Sequence, residues 1–191
     1  MDDDILGRPA GLPADQQFLL AEHPRDTWSA GRIKNLGRTW LHMHGSFRDT
    51  AARLMDSINA VREAGAFNPG FAPRFAHEAS GLLGHLNAHH NIEDDHYFPI
   101  FRQAEPRLIR GFDIMDADHH VIHDAIESFA SEGNGFLHKI GRAEGMPDDA
   151  QKYALDAMGD ELARFRRLLV QHLDDEEDLV IPLIVERDDL G

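Results

Sequence analysis

At 191 residues and 42% hydrophobic content, the chain can fill one domain core but hardly two. Acids outnumber Lys plus Arg by 34 to 19, a formal net charge of -15 that repels a phosphate backbone or an anionic membrane, so neither nucleic acid nor membrane is an expected partner. The absence of cysteine excludes disulfides, thiolate chemistry and iron–sulfur clusters, whereas thirteen histidines is about three times the average share.

The start, "MDDDILGRPAG", has no basic n-region and no long apolar run, and no 18-residue apolar stretch follows, so the expected location is cytoplasmic. Residues 1–30 hold a short helical piece around "ADQQFLLAEH" and a turn at "HPRDTW", and read as an N-terminal extension packed on a bundle that occupies residues 31–191. The first long helix carries the apolar stripe Leu36, Trp40, His44, Phe47, Ala51, Leu54, Ile58 and Val61, and stops in the loop "AGAFNPGFAP". The second carries Phe75, Ala79, Leu82, Leu86, His89, Glu93, Tyr97, Ile100 and Ala104, ending near Pro106. The third carries Leu108, Phe112, Met115, His119, Ile122, Ile126 and Phe129, and "SEGNGFLHKIGRAEGMP", with four glycines, reads as the loop behind it. Asp148 and Asp149 are N-cap candidates for the fourth helix, whose stripe is Leu155, Met158, Leu162, Phe165, Leu169, His172, Glu176, Leu179 and Leu183. No segment alternates with a period of two. The expected fold is all-α, an up-down-up-down four-helix bundle with an N-terminal extension.

Six polar residues sit where Leu or Ile would be expected: His44, His89, Glu93, His119, His172 and Glu176. A buried carboxylate costs several kcal/mol unless it is paired or bound to a metal. Residues four apart share a helix face, so His89 with Glu93, His119 with His123, and His172 with Glu176 can each deliver two ligands to one point. "HHNIEDDHYFP" at 89–99 and "HLDDEEDLVIP" at 172–182 repeat one spacing, His-x-x-x-Glu-acid-x-x-x-x-Pro.

These motifs, with "DHHVIH" on the third helix, resemble the hemerythrin-like, or HHE cation-binding, family over roughly residues 38–187. The resemblance implies two non-haem iron ions bridged by an oxo or hydroxo group and two carboxylates. It places His119, His123 and His172 on one iron, His44 and His89 on the other, and Glu93 and Glu176 across both. Imidazole and carboxylate ligands suit manganese or zinc as well. Counting ligands leaves one open position of twelve, on the iron with two histidines, where dioxygen, peroxide or nitric oxide would bind. Glu176 departs from the oxygen carriers, which place an aspartate one residue further along.

Tyr97, one turn beyond Glu93, is the candidate catalytic group: a phenol able to donate a hydrogen bond or an electron to a bound oxidant, or else a packed core residue. His42, His90, His96 and His120 point mostly to other faces, His85 could support a ligand, and Asp94 and Glu177 read as solvated neighbours of the bridging glutamates. Four classes survive: binding or sensing of oxygen or nitric oxide, peroxide decomposition, iron storage or delivery, and a ferritin-like oxidase. The last needs Glu-x-x-His on two helices and finds it only in "EDDH" at 93–96. The extension and residues 131–147 could form a lid or a homodimer contact.

Overall fold

The computed structural model describes residues 6–8, 11–28, 31 and 33–190; the opening residues 1–5, part of the stretch read above for a leader, lie outside the described residues. A 3-10 turn (Ala14–Gln16), the short helix α1 (Phe18–Glu22) and a second 3-10 turn (Arg25–Thr27) make up the extension. The bundle follows: α2 (Asn35–Ala64), α3 (Phe71–Ile92), a π-helical turn (Glu93–Tyr97), α4 (Phe98–Ala104), α5 (Ile109–Ile140) and α6 (Asp149–Glu186). It is an all-α four-helix bundle with an N-terminal extension, in which α3, the π turn and α4 together make the second helical rod. Among the described residues there is no strand. None of the helices among the described residues is long and apolar enough to cross a membrane.

The backbone contacts divide the chain into two compact units. One comprises Met1–Ser46, His89–Ile122 and Leu168–Gly191. Its core gathers Trp40, Phe98, Phe101, Phe112, Met115 and Leu183, with Leu12 and Leu19 of the extension buried against them. Full burial of each such side chain contributes about 1.5–3 kcal/mol. The extension also closes a helix start. Buried Gln16 accepts a hydrogen bond from the Gly111 N–H (2.9 Å), one of the free donors in the first turn of α5. A Cβ at Gly111 would lie 3.2 Å from that oxygen and 2.7 Å from Leu179, so glycine permits the close approach.

The other unit comprises Phe47–Ala88 and His123–Arg167. Phe71 and Phe75 stack and meet Phe136 edge-on, and Phe129 lies against Phe165. Asp148 caps α6: its Oδ1 accepts from Gln151 N (2.8 Å) while its own N–H donates to Gln151 Oε1 (3.1 Å), a reciprocal capping box.

Two features differ from the sequence reading. First, α5 runs to Ile140, so the glycine-rich stretch is helical through its first half. Two mid-helix glycines, Gly133 and Gly135, cost about 1 kcal/mol each, but burial of Phe136 and Ile140 outweighs that. Second, the buried face changes register after Glu93: Phe98 and Phe101 are buried, whereas Ile100 is exposed. The π turn inserts one extra residue and so rotates the following face by one position. Pro99, which has no N–H to return to the preceding turn, sits directly behind it. Pro182 lies inside α6, and the buried run Leu179–Ile184 around it holds the helix through to Glu186.

Candidate metal centre

Each long helical rod contributes to one buried cluster in the first unit. Helix α2 supplies His44, the end of α3 supplies His89 and His90, and the π turn opens with Glu93; α5 adds His119, and α6 adds His172 and Glu176. The donor atoms form two groups. His44, His89, Glu93 and Glu176 make one, and His90, His119 and His172 the other; within each, ligand atoms lie within 4.8 Å of one another. Helical geometry explains the split at 89 and 90. Adjacent residues diverge by about 100°, so one imidazole goes to each group, while Glu93 stands four residues from His89 and three from His90, between them.

The two glutamates face both groups. Glu93 Oε1 is 2.8 Å from His89 Nε2, and its Oε2 is 3.7 Å from His119 Nε2. Glu176 Oε1 is 3.8 Å from His44 Nε2, and its Oε2 is 3.3 Å from His172 Nε2. His44 Nε2 and His89 Nε2 approach to 3.0 Å. Adjacent ligands of an octahedral ion at about 2.1 Å are about 3.0 Å apart, which the 2.8 and 3.0 Å separations match.

Hydrogen bonding does not account for these atoms. Both Glu93 oxygens, Glu176 Oε2, and the Nε2 atoms of His90, His119 and His172 are buried without a hydrogen-bond partner. Each such orphan costs about 1–3 kcal/mol. An assembly of inward-facing lone pairs is the environment a cation satisfies, so the residues present fit the metal that this constellation implies.

Two of the outward nitrogens are held by acids, and a third has an acid close by. His119 Nδ1 donates to Asp94 Oδ1 (2.7 Å) and His44 Nδ1 to Glu177 Oε1 (3.1 Å), and His172 Nδ1 lies 3.5 Å from Asp118 Oδ2. A carboxylate at Nδ1 fixes the proton there and leaves Nε2 free to face inward. Trp40, one turn before His44 on α2, donates from Nε1 to Glu176 Oε1 (2.8 Å). Its ring lies 5.1 Å from that of Tyr97, edge to face.

Burial shapes the charges. It pushes His89 down to about 3 and His90 well below the ordinary histidine range, so both imidazoles are neutral. Burial, reinforced by Glu176, raises Glu93 well above the carboxylate range. At Glu176 burial acts in the same direction but is outweighed by His44 and His172, which hold it well below. At His172 burial would lower the pKa, yet Asp118 and Glu176 raise it to about 9. Without metal, burial therefore favours the neutral form of Glu93, while Asp118 and Glu176 favour the charged form of His172.

Of the seven ligands expected from sequence, six are in the cluster: His44, His89, Glu93, His119, His172 and Glu176. His123 is not. Its side chain is 56% exposed and lies 3.5 Å from Glu127. The stripe on α5 passes from His119 through buried Ile122 to Ile126, which turns position 123 outward. His90, expected on another face, is buried and stands with His119 and His172. Its sequence signal was the three-residue step to Glu93. Glu177, expected in solvent, is buried against His44, and Asp118 and Trp40 gave no sequence signal of their own. His42, His85, His96 and His120 are exposed. Tyr97 is half-buried at the end of the π turn, against Trp40 and Phe101.

Compared with family models, the chain matches the hemerythrin HHE cation-binding domain over residues 35–184. It belongs to the hemerythrin HHE family. Comparison with curated proteins and with solved structures returned no match. The HHE match begins at the first residue of α2 and ends within the last turn of α6, so the extension precedes it and all seven clustered residues fall inside it.

Proposed function

We propose that this HHE protein holds two non-haem iron ions and binds dioxygen or a related small oxidant such as nitric oxide. One observation carries the reading: Glu93 and Glu176 each turn one oxygen toward each ligand group. A carboxylate so placed is suited to bridge two ions. His90, His119 and His172 would hold one ion and His44 and His89 the other, with the two glutamates and an oxo or hydroxo group shared. When bound, the pair would supply redox chemistry, and the small oxidant would be taken beside His44 and His89, at the ion that only two imidazoles would hold.

The chain's own residues set the surroundings of that position. Trp40 holds Glu176 in place through Nε1–H, and its ring, about 6 Å from those of His44 and His89, excludes water from that side. Asp94 and Glu177 keep the Nδ1 protons of His119 and His44 and so aim their Nε2 lone pairs inward. A second reading, peroxide decomposition, is favoured by the Tyr97–Trp40 pair, because two oxidisable rings in contact beside the ligands can supply electrons where passive carriage calls for an inert wall.

The test is the metal content of aerobically purified protein with its ultraviolet-visible spectrum before and after azide or peroxide. Two irons per chain, with charge-transfer bands that shift on azide, support the proposal. One zinc, or no metal after reconstitution with iron, refutes it.

A further inference from the structure

The acids behind two of the imidazoles are themselves gripped from outside the family domain. Arg8 donates from Nη1 to Asp118 Oδ1 (2.7 Å) and from Nη2 to Asp118 Oδ2, and reaches Asp175 Oδ2 from Nε (3.2 Å) and Nη2 (2.9 Å). Its carbonyl accepts from Gln171 Nε2 (3.0 Å), which fixes the strap on α6. Arg25 donates from Nη1 to Glu177 Oε2 (3.2 Å), from Nε to Asp178 Oδ1 (2.7 Å) and from Nη2 to the Asp174 carbonyl (2.8 Å). Asp118 faces His172, and Glu177 faces His44. Each ligand group therefore has one imidazole backed by a carboxylate that an arginine of the extension holds.

We propose that Arg8 and Arg25 are positioning residues of the metal centre: the N-terminal extension, through Asp118 and Glu177, fixes the His172 and His44 imidazoles for their ions. This rests on the two-ion reading above. The physical need is specific. Asp118 and Asp175 are both buried and share Arg8; without that cation two like charges would face each other in a poorly solvated place. Asp118 would then swing away from Asp175, and His172 would lose the carboxylate that lies 3.5 Å from its Nδ1. The same holds for buried Glu177 beside His44 when Arg25 is removed. Loss of a carboxylate partner of a ligating histidine typically weakens metal binding about 10–100-fold.

The experiment is a Co(II) titration of the full chain, followed by visible absorption with a competing chelator, for the wild type, Arg8→Gln, Arg8→Lys and Arg25→Gln. Circular dichroism and thermal unfolding of the metal-free proteins accompany it. The expected result is two Co(II) per wild-type chain and about 10–100-fold weaker binding of one ion in each Gln variant, with altered band intensity. Arg8→Lys, which keeps the charge but not the fork, falls between. Arg25 is 44% exposed, so its variant tests the idea even if Arg8→Gln fails to fold. Wild-type protein that takes two Co(II) while the Gln variants match it in affinity and spectrum, whatever their metal-free stability, overturns the strap alone. Wild-type protein that takes none overturns the two-ion reading and the strap with it.

Discussion

The most discriminating perturbation is a pair of substitutions, His90→Ala and His123→Ala. His90 is 5% exposed, stacked on His119 with ring centroids 4.1 Å apart, and its Nε2 has no hydrogen-bond partner. If it is a ligand, removing it leaves two imidazoles in its group, and a loss of about 100-fold in affinity is the least expected, since partners behind a ligand already account for 10–100-fold. At a free metal concentration about 1,000 times the wild-type dissociation constant, one ion stabilises the fold by about 4.1 kcal/mol; a 100-fold weaker site retains about 1.4 kcal/mol. The difference, about 2.7 kcal/mol, corresponds to about 5–11 °C in Tm for a chain of this size. Truncating His90 also opens a cavity while removing an orphaned nitrogen, so the quantity to measure is the metal-dependent rise in Tm, loaded minus metal-free. That rise should shrink by about 5–11 °C in His90→Ala and match wild type in His123→Ala. The reverse pattern, with His123→Ala losing an ion and His90→Ala keeping both, would refute the reading of α3 and α5.

Metal loading at pH 7 should release the His172 proton, because its pKa is raised to about 9 and it must lose that proton to become a ligand; the burial that raises Glu93 works in the same direction. Affinity should accordingly climb between pH 6 and 8; a pH indicator in weak buffer that shows no release counts against this protonation pattern. In the metal-free protein the raised His172 contributes stability that is full below about 6.5, its unfolded value, and is lost as pH passes through about 9, a decline visible in urea titrations. Trp40→Phe should cost about 1.5–3 kcal/mol in the same metal-free protein, since Glu176 Oε1 loses a buried donor; a change below about 0.5 kcal/mol would mean that the bond contributes little. Tyr97→Phe should slow peroxide consumption by the iron-loaded protein if the phenol supplies electrons, and an unchanged rate removes it from the chemistry.

Periodicity alone located the helices and most of the centre. His44, His89, Glu93, His119, His172 and Glu176 occupy stripe positions otherwise filled by Leu, Ile and Phe, and a helix that buries those positions must bury them too. The family motifs then gave the fold and the class of ligand. What periodicity could not decide was the rotation of each helix to within one residue. His90 is inward because of how α3 packs, whereas on α5 the stripe through Ile122 itself turns His123 outward against the i+4 pairing with His119, and the π turn shifts the face again from Tyr97 and Ile100 to Phe98 and Phe101. Nor did the glycines at 133 and 135 end α5, because the cost of two glycines is smaller than the burial of Phe136 and Ile140 beyond them.

The supporting contacts lay further out of reach. Trp40 meets Glu176 across 136 positions, and Arg8 meets Asp118 across 110 and Asp175 across 167. Local sequence determined where helices form and which side chains must go inside, since both follow from 3.6 residues per turn and the cost of burying charge. Only the tertiary structure decided which charges meet, because pairing depends on the distance between elements that the chain itself separates widely.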